Sequence, residues 1–153
     1  MKALNDPVAP LLVFAWGNRS RGDDALGPLL LDHLRASQPV GSGVDFLEDY
    51  QLQIEHALDL VGRSRVLFVD ASLSCTAPFE VTELAAARDV GVATHTLSAP
   101  ALLQVFCDLH TRPPPPCTLL AIRGEGFELG APLSAAAQAN LELAQRWCRH
   151  WLN

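Results

Sequence analysis

Three acidic or imidazole positions carry residue types that can do chemistry. Asp23 and Asp24 form an acidic pair inside the stretch Gly17–Gly27 (GNRSRGDDALG), Asp70 follows the apolar run Val66–Val69, and His95 precedes a helical pattern. Two carboxylates and one imidazole suit a divalent first-row metal, because imidazole favours nickel and zinc while carboxylates add charge and oxygen. Three ligands would leave coordination positions open for groups brought by a substrate. Each residue also has a plainer use. Asp23 or Asp24 could cap a helix, Asp70 could be a turn residue at a strand end, and an isolated histidine is more often hydrogen-bonded at a surface than bound to metal. The three are far apart in sequence, unlike a compact metal motif, so spacing does not choose between these uses.

Other chemistries find less support. No GxGxxG follows the first apolar run, and GNRSRGDD contains no P-loop lysine. Ser72, Ser74 and Ser98 lack a GxSxG context. Cys75, Cys107, Cys117 and Cys148 form no CxxC pair or zinc-type spacing, and nothing identifies a Cys–His pair. The cysteines are expected to be reduced and mostly buried. His33, His56 and His110 have no evident chemical partners, and His150 falls where positive charge suits a helix C-terminus.

The elements that must position these residues follow from periodicity. Leu11–Trp16 (LLVFAW) reads as a buried strand ending in a Gly17-Asn18 turn. A helix opens at Asp24, with Leu26, Leu29, Leu30 and Leu34 at helical spacing and Pro28 in its first turn. Val44–Leu47 predicts a second strand, and Leu52–Val61 a helix with Ile54, Leu58 and Val61 on one side. Val66–Val69 predicts a third strand ended by Asp70, and Phe79–Leu84 alternates like a strand with one polar face. Val92–Leu97 reads as a short strand or loop, and Pro100–Leu109 as a helix whose start lies near Ser98. Pro113–Pro116 forms an extended linker. Thr118–Ile122 is another buried strand, and Ser134 caps a final helix with Ala137, Leu141, Ala144, Trp147, Cys148 and Trp151 on its apolar side.

Alternating strands and helices imply an α/β fold: one three-layer domain over residues 1–153, with a mostly parallel twisted sheet covered by helices on both faces. Ligands of such sheets gather at the carboxyl ends of the strands. If strands one and three are neighbours, Asp24 and Asp70 share one crevice and His95 reaches it from a loop.

Bulk properties agree. The 153 residues suit one domain, are 49% hydrophobic and 18% charged, and carry a net charge of −6. No run approaches the ~18 apolar residues of a membrane span. The first ten residues do not resemble a signal peptide, which makes the cytoplasm the expected location. The acidic balance, with scattered arginines, argues against nucleic-acid binding.

The motif GNRSRGDDALG resembles the N-terminal signature of the hydrogenase maturation endopeptidases: a GN turn, a short loop, an acidic pair and a following glycine. Val66–Ala71 (VLFVDA) resembles that family's second signature, His95–Leu103 (HTLSAPALL) its third, and Ile122–Ser134 (IRGEGFELGAPLS) its late strand and helix start. The match runs in order along nearly the whole chain. Asp49–Leu60 (DYQLQIEHALDL) further resembles members serving soluble, bidirectional NAD(P)-linked hydrogenases. Some relatives carry an Asp just after the second strand, for which either Glu48 or Asp49 could stand here.

The resemblance implies an aspartyl-type endopeptidase that trims the C-terminal extension of an immature, nickel-loaded [NiFe] hydrogenase large subunit. Asp24, Asp70 and His95 would be its catalytic and metal-contacting residues. The implied metal is Ni²⁺ carried by the substrate, with no permanent cofactor, no membrane and no nucleic acid. Two alternatives are a receiver-like phosphoacceptor domain and a non-catalytic escort of the precursor. The first would want a lysine at the end of a late strand, where Ile122-Arg123 stands instead; the only lysine is Lys2.

Overall fold

In a computed structural model, which describes residues 7–89 and 96–153, the unbroken apolar runs become the inner strands of a five-stranded sheet. The strands are β1 (Leu11–Trp16), β2 (Val44–Asp49), β3 (Arg65–Ser72), β4 (Phe79–Glu83) and β5 (Cys117–Arg123), in the order β2-β1-β3-β5-β4. All neighbours are parallel except β4, which runs antiparallel along β5 at one edge. Strands covered on both faces need apolar residues at every position rather than at alternate ones. Hence Leu12 to Ala15 and Val66 to Val69 are all 0–1% exposed.

Alternate residues of each run feed separate cores. Val13, Ala15, Leu67, Val69, Leu120 and Ile122 pack against helices α1 (Leu26–Ser37) and α3 (Ala135–Leu152). Leu12, Phe14, Val66 and Phe68 face the other way, onto α2 (Ala99–His110) and a 3-10 helix at Ile54–Leu60. The three-layer α/β expectation therefore holds. The predicted face of α3 holds too, with Ala137, Leu141, Ala144 and Cys148 buried. Ser134 caps this helix by accepting from the Ala137 amide at 3.1 Å. Ser98 caps α2 likewise, from Ala101 at 3.2 Å.

Some expectations are corrected. The helix expected over Leu52–Val61 is a seven-residue 3-10 segment, and its buried residues are Ala57 and Leu60, with Ile54 and Leu58 well exposed. Winding at three residues per turn aligns positions i and i+3 rather than i and i+4. Asp70 does not terminate β3, which continues to Ser72. The Val92–Leu97 reading falls mostly outside the described residues; Thr96 and Leu97 belong to no strand.

Cys75, Cys117 and Cys148 are buried and Cys107 is half-buried, all as free thiols. Burial pushes the Cys117 and Cys148 thiols up to about 12, with Glu83 adding to the effect at Cys117. Such thiols are poor nucleophiles at neutral pH. No helix among the described residues is long and apolar enough to cross a membrane.

Candidate active site

The acidic motif is shaped by close backbone packing. Gly17 ends β1 with φ +147°, and a Cβ there would lie 2.1 Å from the carbonyl oxygen of Asp24. Only glycine permits this fold-back, which brings the acidic pair against the strand end. The turn is closed by the Asn18 amide donating to Asp24 Oδ2 at 2.9 Å and by the Gly17 amide donating to the Asp49 carbonyl at 3.1 Å. Gly27 then lets α1 start against the sheet, since its Cβ would meet the carbonyl oxygens of Trp16 at 2.9 Å and Val69 at 3.1 Å.

The two aspartates diverge. Asp23 is 1% exposed and points into the protein. Its carboxylate accepts from the Glu125 amide, the Ser134 amide and the Ser134 hydroxyl, each at 2.7 Å. Burial alone would raise its pKa, but these hydrogen bonds outweigh burial and hold it below the usual carboxylate value. Asp23 is thus a clamp between the acidic motif and the loop from β5 to α3. Asp24 is half-buried, and neither the 3-10 turn at Gly22–Ala25 nor α1 uses a side-chain cap. The capping role considered for either residue is therefore filled by neither. Burial raises the pKa of Asp24, against the pull of the Asn18 amide and Arg21.

Asp70 enters from β3. In the parallel register Ala15 stands opposite Val69, so the next residues along, Trp16 and Asp70, are side by side on the face that carries α2. Its pKa is raised to about 7, first by burial and then by the nearby negative charge of Asp24; hydrogen bonds from the Ala71 amide and the Trp16 side chain work the other way. Asp24 and Asp70 line one cleft of about 520 Å³, together with Trp16, Leu52, Leu119, Phe127 and residues 96–100 leading into α2. This volume lies in the usual range for a ligand site, roughly 300–1,000 Å³. The shared crevice of Asp24 and Asp70 is present, because β1 and β3 are neighbours. His95 lies outside the described residues; Thr96, which follows it in sequence, borders the cleft. Among the described residues, no three His, Cys, Asp or Glu side chains group closely enough to hold a metal ion.

Glu48 and Asp49 are engaged elsewhere. Arg19 donates to Glu48 at 2.6 Å and to Asp32 at 2.7 Å, pinning the loop after β1 to β2 and α1. Asp49 Oδ2 contacts His56 Nε2 at 3.1 Å, and its Oδ1 accepts from the Tyr50 amide at 2.7 Å. Neither residue lines the cleft. Arg123, where a receiver-like site would want its lysine, donates to the carbonyls of Cys75 and Gly124. Sequence reasoning missed the clamp at Asp23 and the indole beside Asp70. The first had a signal in the acidic pair, though nothing local to say which member turns inward. The second needed the register of β1 on β3.

No protein-family model matches this sequence, and no curated protein matches it. Solved structures do match in fold. The hydrogenase maturating endopeptidase HybD from E. coli is 21% identical with a TM-score of 0.75, over 93% of this chain and 91% of that one. The [NiFe] hydrogenase maturation protease HycI from Thermococcus kodakarensis KOD1 is 19% identical with a TM-score of 0.72, over 94% and 92%. The hydrogenase 2 maturation peptidase from Thaumarchaeota archaeon SCGC_AB-539-E09 is 20% identical with a TM-score of 0.64, over 94% and 97%. At these identities the likeness is one of architecture, and over nearly its whole length this chain has the fold of hydrogenase maturation endopeptidases.

Proposed function

We propose that this protein is an endopeptidase that removes a C-terminal extension from the nickel-loaded precursor of a [NiFe] hydrogenase large subunit. The observation that carries the reading is the meeting of Asp24 and Asp70 in one cleft at the carboxyl end of the sheet. The match of fold to maturation proteases and the motif order support it. Asp24, Asp70 and His95 are the proposed contacts to nickel that arrives with the substrate; the protein keeps no metal of its own.

The negative charge of Asp24 raises the proton affinity of Asp70, and two carboxylates in one cleft form a site that welcomes a cation. A loaded precursor satisfies both charges, whereas an unloaded one leaves them facing each other. Cleavage is thereby tied to nickel insertion. Hydrolysis can draw on polarisation of the scissile carbonyl by the substrate's metal, or on Asp70 as general base, since a group poised near 7 suits that task. The cytoplasm, where precursors would be met, is the proposed location.

The test is mass spectrometry of precursor incubated with this protein, with and without nickel. A mass loss matching the extension, only in the loaded sample, is the expected result. An intact precursor that still co-purifies with the protein would make it an escort, and an intact precursor that does not bind would defeat the reading.

A further inference from the structure

We infer that Arg19 is a positioning residue for the nickel-reading site: it holds in place the loop whose Asn18 amide orients the Asp24 carboxylate. The inference rests on the function proposed above and extends it to a side chain outside the cleft. The Asn18 amide donates to Asp24 Oδ2 at 2.9 Å. Asn18 is itself locked within the loop, its side-chain oxygen accepting from the Ser20 amide at 2.8 Å and its carbonyl from the Arg21 amide at 3.1 Å. The aim of that amide therefore depends on where the whole loop sits relative to α1, which begins just after the acidic pair.

Arg19 fixes that position from the next residue along. Its Nε and Nη2 donate to the two oxygens of Glu48 on β2 at 2.8 and 2.6 Å, and its Nη1 and Nη2 to the two oxygens of Asp32 on α1 at 2.7 and 2.9 Å. Both contacts are bidentate, a geometry that a planar guanidinium imposes and an ammonium does not. The side chains are open to solvent, with Arg19 43%, Asp32 47% and Glu48 29% exposed. Ion pairs this exposed add little stability, so the fork matters for the geometry it sets rather than for the folding energy. Arg19 does not line the cleft of Asp24 and Asp70; with Glu48 and Tyr50 it lines a separate hollow of about 260 Å³. Its route to Asp24 is the Asn18 amide. Outer partners of metal-binding carboxylates orient them for the cation, and their loss weakens metal binding by roughly 10–100-fold.

The experiment measures hydrogen exchange at the Asn18 amide and calorimetric binding of Ni²⁺ alone in the wild-type protein, Arg19→Gln, Arg19→Lys and Asp24→Asn, each with a melting temperature. Arg19→Gln removes the fork and its charge. Loss of a cation near the site would by itself tighten Ni²⁺ binding, so a weakening reports geometry. Arg19→Lys keeps the charge and loses the fork. The expected result in Arg19→Gln is an Asn18 amide that exchanges about 10-fold faster while the inner amides of β1 do not change. Ni²⁺ binding should weaken about 10-fold, with a melting temperature close to wild type. Wild-type exchange at Asn18 overturns the inference, and so does nickel affinity at or above wild type. If Arg19→Gln melts well below wild type, the same two readings in Arg19→Lys decide. Nickel lost in Asp24→Asn but kept in the Arg19 variants leaves the site reading standing without Arg19. Equal nickel affinity in the wild type and Asp24→Asn removes the site reading and the inference together.

Discussion

Asp23 and Asp24 are adjacent in sequence, yet one faces the interior and the other the cleft. Asp23→Ala would strand the Glu125 and Ser134 donors in a buried place, where each unsatisfied group costs about 1–3 kcal/mol. A stability loss of about 3 kcal/mol is expected in a denaturant melt. Asp24→Asn should instead leave the melt nearly unchanged and abolish processing, because it keeps the shape and removes the charge. Wild-type processing by Asp24→Asn would argue against a metal contact there. Asp70 adds a pH signature. Its folded pKa of about 7 lies above its ordinary 3.8, so the fold holds the proton more tightly than the unfolded chain does. The resulting stability is full below the ordinary value and is lost as pH rises through about 7. Asp70→Asn should therefore melt higher than wild type near pH 8, with the advantage shrinking towards pH 4. An advantage independent of pH would contradict the raised pKa. The acidic pair and Asp70 were legible in the sequence as residue types. Their separation into clamp and site was not, because it depends on partners more than 100 residues away.

At the scale of elements, apolar runs and caps located β1, β3, β5, α1, α2 and α3 closely, since burial on both sheet faces leaves an unmistakable pattern. The segment after β2 was misread because apolar spacing there fits two windings, and only packing under Leu52 and Ala57 selects the tighter one. Asp70 was placed at a strand end because a charge usually stops an apolar run; here β3 carries it two residues further, with Trp16 across the register. Glycine marks where α1 meets the sheet. Gly27→Val would drive a side chain into the carbonyls of Trp16 and Val69, and overpacking of this kind costs about 1–3 kcal/mol. Because the same carbonyls belong to the strands that bear the site, cleavage should fall more than stability. Activity falling only in step with the folded fraction would show that α1 does not set the site's geometry.

For the whole molecule, a single sheet carries both cores, so neither layer of helices has a surface to fold on without it. Phe14 and Phe68 bridge to α2, while Leu67 and Val69 bridge to α1 and α3. Thermal unfolding followed by far-UV and near-UV circular dichroism should give one coincident transition. Two separated transitions would mean that one layer melts independently. Among the described residues, both helix layers pack on that one sheet.

The Asp23 clamp also bears on how the protein is made. The acidic motif is synthesised early, but Glu125 and Ser134, which hold it, follow 102 and 111 residues later. β5, which sits between β3 and β4, is likewise among the last strands to be translated. At roughly 5–20 residues per second, several seconds separate the motif from its anchors on the ribosome. Throughout that interval β3 lacks its β5 neighbour and the cleft lacks its Phe127 wall. A nascent chain therefore has no assembled cleft, and a half-made copy cannot do the chemistry of the finished site.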